Sequence, residues 1–180
     1  MKTFIVLLRG INVGGHKRIK MTDLRDLLGE AGFSEVTTYI QSGNIVLKAY
    51  QTAEKVRNLV VGMIEKEYGF TVRVMVRTPE EWQEAIENNP YSPDDHDPKM
   101  LHFTFLNEAP SDSAIRALDQ VHTGDEVFEI RDRVLYVYYP NGAGRSKLTN
   151  NFFEAKLGVS GTARNWNTVQ KISSLVKDSE

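Results

Sequence analysis

Twice along its 180 residues the chain passes through the same order of short apolar strands and amphipathic stretches, which limits its folds more than composition does. Residues 3–8 are β-rich and apolar on successive positions, the pattern of a buried strand. A glycine-rich loop follows. Thr22 is then placed to cap a helix whose Leu24, Leu27, Leu28 and Ala31 keep the 3.6-residue spacing, with Gly32 as its stop. Residues 36–41 and 45–49 read as two strands around the turn Ser42-Gly43-Asn44. Thr52 caps a longer helix that turns Val56, Leu59, Val60, Met63 and Ile64 inward and ends at Gly69, and residues 71–76 form a further strand. Thr78 with Glu81 makes a capping box, Pro79 suits the first helical position, and the short helix they begin is expected to run to about Asn89.

The second half repeats the order. Residues 101–106 read as a strand, 111–121 as a helix, 126–130 and 134–139 as a strand pair, and 146–157 as a helix. A short strand at 162–165 and a terminal helix at 168–177 complete the chain. Each half is thus strand, helix, strand, strand, helix, strand, the split βαβ unit. The expected fold class is α+β: two tandem ferredoxin-like units with an extra C-terminal helix. The expected divisions are a first unit at 1–78, a linker helix and loop at 79–98, and a second unit with the terminal helix at 99–180.

Composition narrows the chemistry. The chain has no cysteine, which excludes disulfides, a thiol nucleophile, iron–sulfur clusters and thiolate zinc sites. The apolar run at residues 4–8 is too short for a signal peptide or a membrane span, so the expectation is a cytoplasmic protein with no membrane partner. The net charge of −2 hides an asymmetry: residues 1–50 carry +3, 51–79 carry +2, 80–132 carry −11 and 133–180 carry +4. A chain of near-zero net charge can therefore still present a basic patch to an anion, while its acidic middle solvates exposed helices.

Three polar segments compete for function. The first runs from Arg9 through Gly10, Asn12, Gly14 and Gly15 to Lys20, between the first strand and the first helix. Glycines there let backbone N–H groups converge on an anion beside a helix N-terminus. Gly10 and Gly15 have the separation of a P-loop, but His16 stands in place of its lysine and no Ser or Thr follows Lys17, so that motif fails. The second is Gly142-Ala143-Gly144-Arg145-Ser146-Lys147, with Ser146 as an expected helix cap and two cations beside it. The third is Arg164-Asn165-Trp166-Asn167-Thr168, in which Asn167 or Thr168 serves as a cap and Trp166 either packs in the core or stacks on a base.

Together with the Tyr39 to Asn44 hairpin, Met21 and Leu24, these segments resemble a bacterial family catalogued as domain of unknown function 1697. The resemblance rests on Arg9-Gly10-Ile11-Asn12-Val13-Gly14-Gly15, Tyr39-Ile40-Gln41-Ser42-Gly43-Asn44, Gly144-Arg145-Ser146-Lys147-Leu148 and Arg164-Asn165-Trp166-Asn167-Thr168. It implies a bacterial cytosolic protein of α+β fold with two ferredoxin-like parts. It brings no assigned reaction and no catalytic residues.

The sequence leaves the class of activity open. There is no G-x-S-x-G elbow and no H-E-x-x-H helix. Asp94, Asp95, His96, Asp97 and His102 lack calcium-loop spacing, and a solvated proline-rich loop explains them without a metal. Ile45, Val46 and Leu47 occupy the third strand, where an RNA-recognition sheet needs aromatics. The leading expectation is a module, without a cofactor, that binds a phosphate-bearing ligand, either a nucleotide or nucleic acid. Its candidate residues are Arg9, Asn12, Gly14, Lys20, Gln41, Asn44, Arg145, Ser146, Lys147, Arg164, Asn165 and Trp166. Their shared chemistry predicts a common cleft. The alternatives are an enzyme on a small phosphorylated metabolite, with His16 or Lys20 moving the proton, and an interaction module that docks a basic partner on the acidic middle. Oligomeric state is open.

Overall fold

The computed structural model describes residues 1–122 and 124–179. The protein is a mixed α+β chain with two four-stranded sheets and, among the described residues, six α-helices. It divides into two compact units, Met1–Glu84 with Lys171–Glu180 (unit 1) and Ala85–Gln170 (unit 2). The boundaries pass through two helices, the one that follows the capping box and the last one.

Unit 1 begins with β1 (Lys2–Arg9), α1 (Met21–Glu30), β2 (Ser34–Tyr39), β3 (Asn44–Ala49), α2 (Ala53–Tyr68) and β4 (Arg73–Arg77). The sheet order is β2-β3-β1-β4, and every pairing is antiparallel. β1 lies inside, with Phe4 opposite Leu47 and Leu7 opposite Met75, and its residues 4–8 are all buried. Phe4, Val6 and Leu8 enter a core with Leu24 and Leu28 of α1 and Val56, Val60 and Ile64 of α2. Fully burying such side chains contributes about 1.5–3 kcal/mol each, so this core fixes where both ends of β1 emerge.

Several local signals act as the sequence implies. Thr52 accepts from the Lys55 N–H at 3.3 Å, and Gly69 ends α2 in the left-handed region. Thr78 and Glu81 form the reciprocal capping box, at 2.9 and 3.2 Å, at the start of α3 (Pro79–Glu87). Two differ. α1 starts at Met21 with Lys20 as cap residue, because Met21 is drawn into the core and the Thr22 hydroxyl donates to Asp23 instead. β2 starts and ends two residues earlier than the apolar pattern suggests, since the register shifts between Ser34 and Thr37 and Glu35 takes φ +49°. That is the geometry of a bulge.

Unit 2 contains β5 (Leu101–Leu106), α4 (Asp112–Asp119), β6 (Val127–Arg131), β7 (Val134–Tyr138), α5 (Asn150–Leu157) and β8 (Gly161–Asn165), with the sheet order β6-β7-β5-β8, again antiparallel. Leu135 and Val137 pack with Leu118, Phe153 and Leu157. The last helix, α6 (Trp166–Asp178), starts two residues earlier than expected, because the Asn165 side chain accepts from the Thr168 N–H at 3.0 Å and so takes the capping role assigned to Asn167 or Thr168. Among the described residues no helix is long and apolar enough to cross a membrane.

Unit 2 also contains a titratable group that links its stability to pH. The His102 ring stands edge-on to Tyr139 at 5.2 Å, and its Nδ1 lies 3.3 Å from the Met100 carbonyl. Burial holds its pKa below the ordinary value of 6.5, outweighing that carbonyl contact. The folded state therefore prefers neutral imidazole, whereas the unfolded chain takes up its proton near pH 6.5. Stability should be complete above that pH and decline as pH falls toward the depressed folded value. Thermal unfolding followed by circular dichroism between pH 7 and about 5 should show this decline, flattened in His102→Phe.

Candidate functional site

The loop between β1 and α1 is held by its own asparagine. Asn12 sits at φ +56°, a left-handed conformation that asparagine tolerates better than most residues. Its Nδ2 donates to Ile19 O at 2.9 Å and to Gln41 O at 2.8 Å, while its Oδ1 accepts from the Ile19 N–H at 2.9 Å. The Asn12 N–H donates to Lys17 O at 3.1 Å. One side chain thus closes the loop on itself and ties it to the β2–β3 hairpin.

The tip is a two-residue reversal. Val13 bridges His16, whose N–H donates to Val13 O at 3.0 Å, and the central residues Gly14 and Gly15 take φ +58° and +78°. Positive φ at both positions is the signature of a type I′ turn, which explains the glycine pair. Lys17 Nζ reaches across to donate to Thr71 O at 2.8 Å.

Between this loop and the hairpin lies an open pocket of about 440 Å³, lined by Asn12, Gly15, Arg18, Ile19, Lys20 and Gln41. Three of the expected site residues, Asn12, Lys20 and Gln41, therefore meet here. Arg18 joins them. Its Nη2 lies 3.7 Å from where a Cβ on Gly15 would stand, an ordinary contact distance that places the guanidinium over the turn. Among the described residues the Arg18 guanidinium makes no hydrogen bond or ion pair. Arg18 was legible only as one more cation of the loop; the signal that singles it out is its position three residues beyond Gly15.

The polarity of the wall follows from these bonds. Gln41 Oε1 lies 3.5 Å from Asn12 Nδ2, which turns the carbonyl end of the amide toward Asn12 and leaves Nε2 as a donor with no bond among the described residues. Lys20 Nζ pairs with Asp23 at 3.3 Å, with both side chains largely exposed. Lys20 is also the first residue outside α1, and no side chain caps that helix start. The helix whose first-turn N–H groups no side chain caps thus begins at the residue that follows this wall in the chain.

The other expected residues of unit 1 play local roles. Asn44 is buried, and its Nδ2 donates to Tyr39 O and to Ser42 Oγ, both at 3.0 Å, closing the hairpin. Gly14 belongs to the turn. Arg9 ends β1, paired in register with Arg73. His16 lies at the exposed tip, outside the pocket wall.

In unit 2 the basic loop is not a helix start. Residues Ala143–Arg145 form a single 3₁₀ turn, and α5 begins only at Asn150 with Thr149 as its cap, accepting from the Phe152 N–H at 3.2 Å. Ser146, expected as that cap, donates to Glu126 Oε2 at 2.8 Å and accepts from the Leu148 N–H at 2.8 Å. A carboxylate at the Ser146 hydroxyl opposes an anion there. Arg145 and Lys147 are exposed beside it.

Arg164 is buried, not a surface cation. It is 7% exposed, its Nη1 donates to Thr162 Oγ1 at 2.9 Å and Ala163 O at 2.8 Å, and burial pushes its pKa down to about 10. Asn165 is occupied as the cap of α6. The Trp166 ring rests against Phe103, with centroids 5.5 Å apart, which favours the packing role over the stacking one. Of the proline-rich segment, the His96 ring stands edge-on to Tyr91 and Tyr138 at 5.6 and 4.5 Å. Among the described residues no three His, Asp or Glu side chains are grouped to hold a metal ion.

The twelve expected residues thus divide six and six between the units, and those that meet at a pocket are in unit 1. The chain is similar in fold to the conserved bacterial protein SP0830 from Streptococcus pneumoniae, with a TM-score of 0.74 at 22% sequence identity over 97% of this chain and 98% of that one. No curated protein is significantly similar in sequence. The family model described as "Protein of unknown function (DUF1697)" matches residues 1–136, a stretch that holds the glycine-rich loop, the hairpin and the whole pocket wall, and the chain belongs to that family.

Proposed function

We propose that the pocket of unit 1 binds a phosphate-bearing ligand of nucleotide size. The observation that carries this reading is the pair of unsatisfied donors on one wall, the Arg18 guanidinium and Gln41 Nε2, with the uncapped α1 beginning one residue after Lys20. An arginine fork recognises phosphate through two parallel hydrogen bonds, and such charge-assisted bonds are the strong ones. The volume falls in the range of small-molecule sites, about 300–1,000 Å³. Lys20 adds less, because Asp23 already offsets its charge. A single uncompensated cation favours a compact ligand over a long nucleic-acid strand, which needs several phosphate contacts.

We infer also that each unit is ferredoxin-like. The support is the element order strand-helix-strand-strand-helix-strand in both units together with the matching sheet orders β2-β3-β1-β4 and β6-β7-β5-β8.

Calorimetric titration with nucleotides, sugar phosphates and short oligonucleotides tests the site. Arg18→Ala should weaken binding by about 2 kcal/mol, the worth of a charge-assisted bond pair, and leave thermal unfolding unchanged. The double variant Arg145→Ala with Lys147→Ala should bind as the parent does. Binding lost in the double variant and kept in Arg18→Ala would move the site to unit 2 and overturn the reading.

A further inference from the structure

One residue beside the pocket is held in a conformation that its own side chain resists. Ile40 has φ +49°, in the left-handed region, where a β-branched residue is a genuine outlier. The strain is not offset by packing, because the Ile40 side chain is half exposed, at 50%. Glycine or asparagine would occupy the same backbone without strain. Such strain persists only where surrounding structure enforces it, and it collects at ligand clamps. Here the enforcing contacts are on both sides. Asn44 Nδ2 holds Tyr39 O at 3.0 Å, and Asn12 Nδ2 holds Gln41 O at 2.8 Å, so the peptide unit before Ile40 and the one after Gln41 are both fixed.

Val13 on the opposite loop shares the exposure, though not the left-handed backbone. It is 66% exposed, the most exposed large aliphatic side chain among the described residues, and the type I′ turn that follows it fixes its place. Val13 follows Asn12 and Ile40 precedes Gln41, and Asn12 and Gln41 are hydrogen-bonded to each other on the pocket wall. Two exposed aliphatic side chains therefore stand one residue from a wall of phosphate-type donors.

We propose that Ile40 and Val13 seat the organic part of the ligand, which makes the ligand class a phosphomonoester of a planar or apolar alcohol, with nucleoside monophosphates as members. This rests on the phosphate reading of the pocket and adds to it a preference that the phosphate donors alone do not produce. The phosphate occupies the Arg18 and Gln41 side, and the flat or apolar group lies over the two aliphatic side chains. A strand of nucleic acid without a terminal phosphate fits this arrangement poorly, because one phosphate position is served and no track of cations leads away from it.

The probes are inorganic phosphate, methyl phosphate and phenyl phosphate, titrated into the whole protein and into Ile40→Gly and Ile40→Asn. Both variants suit positive φ, so neither should unfold the hairpin, and melting temperatures at or above the parent's would show that strain was relieved. The parent should bind phenyl phosphate about tenfold more tightly than methyl phosphate, the factor expected from covering part of one ring. In both variants the two esters should bind alike, with methyl phosphate unchanged. Equal binding of the two esters by the parent, or a preference that survives in both variants, overturns the apolar seat while leaving the phosphate pocket standing. If neither inorganic phosphate nor methyl phosphate binds the parent at millimolar concentration, the phosphate reading fails and this inference falls with it. A 5′-hydroxyl oligonucleotide that displaces phenyl phosphate at lower concentration would overturn the phosphomonoester assignment in favour of a polyanion.

Discussion

Replacing Asn12 by alanine should lower the unfolding free energy by about 3 kcal/mol, of which about 1 is the left-handed backbone and about 2 the lost hydrogen bonds. The Asn12 side chain uses its acceptor on Ile19 N–H and its donor group on two carbonyls, Ile19 O and Gln41 O. Alanine supplies none of these, and its Cβ resists φ +56°. Asn12→Gly separates the two contributions, since glycine accepts the backbone freely and should recover about 1 kcal/mol relative to alanine. Urea midpoints at unchanged slope give the comparison. The functional effect should exceed what stability alone explains. Among the described residues no hydrogen bond but Asn12's ties Gln41 to the loop of Arg18, so phosphate affinity should fall in both variants at temperatures where both remain folded. An Asn12→Ala protein as stable as its parent would show that the loop is held by its turn, not by its side chain.

How much of this could be read in advance follows the range of each interaction. Thr52, Gly69 and the Thr78–Glu81 pair act over three or four residues, so their caps are visible in the sequence and present in the structure. Ser146 shows where that stops. The expected cap Ser146 instead gives its hydroxyl to Glu126, twenty residues away, and Thr149 caps the helix. The distance of that partner in the chain hides it from any local pattern. The burial of Arg164 is hidden for a related reason: it depends on how β8 pairs beside β5. The unit 1 site was legible as a cluster of residue types. Its geometry was not, because the Asn12–Gln41 contact spans 29 positions and lies beside a left-handed Ile40 that no propensity favours.

Gly43→Ala should destabilise the protein by about 3 kcal/mol, combining a left-handed alanine at about 1–2 kcal/mol with overpacking at about 1–3. Gly43 is buried at the end of the hairpin, with φ +80°, and its carbonyl accepts from the Leu8 N–H at 2.8 Å. A Cβ there would stand 2.6 Å from Leu8 Cβ and 2.9 Å from Ile11 Cδ1, closer than carbon atoms approach. Leu8 and Ile11 are themselves core residues, so neither can yield without disturbing the packing against α1. Gly10 provides the control. It also has positive φ, at +68°, but a Cβ there meets nothing within 4 Å, so Gly10→Ala should show the conformational cost alone, about 1–2 kcal/mol. The difference between the two variants measures the close approach of the hairpin to β1. Because the same hairpin carries Gln41, lifting it off Leu8 also moves Gln41 from the pocket wall, and Gly43→Ala should weaken phosphate binding where Gly10→Ala leaves more of it intact. Equal destabilisation by the two substitutions would mean that the hairpin adjusts to a side chain at residue 43, and that its hold on Gln41 comes from Asn12 alone.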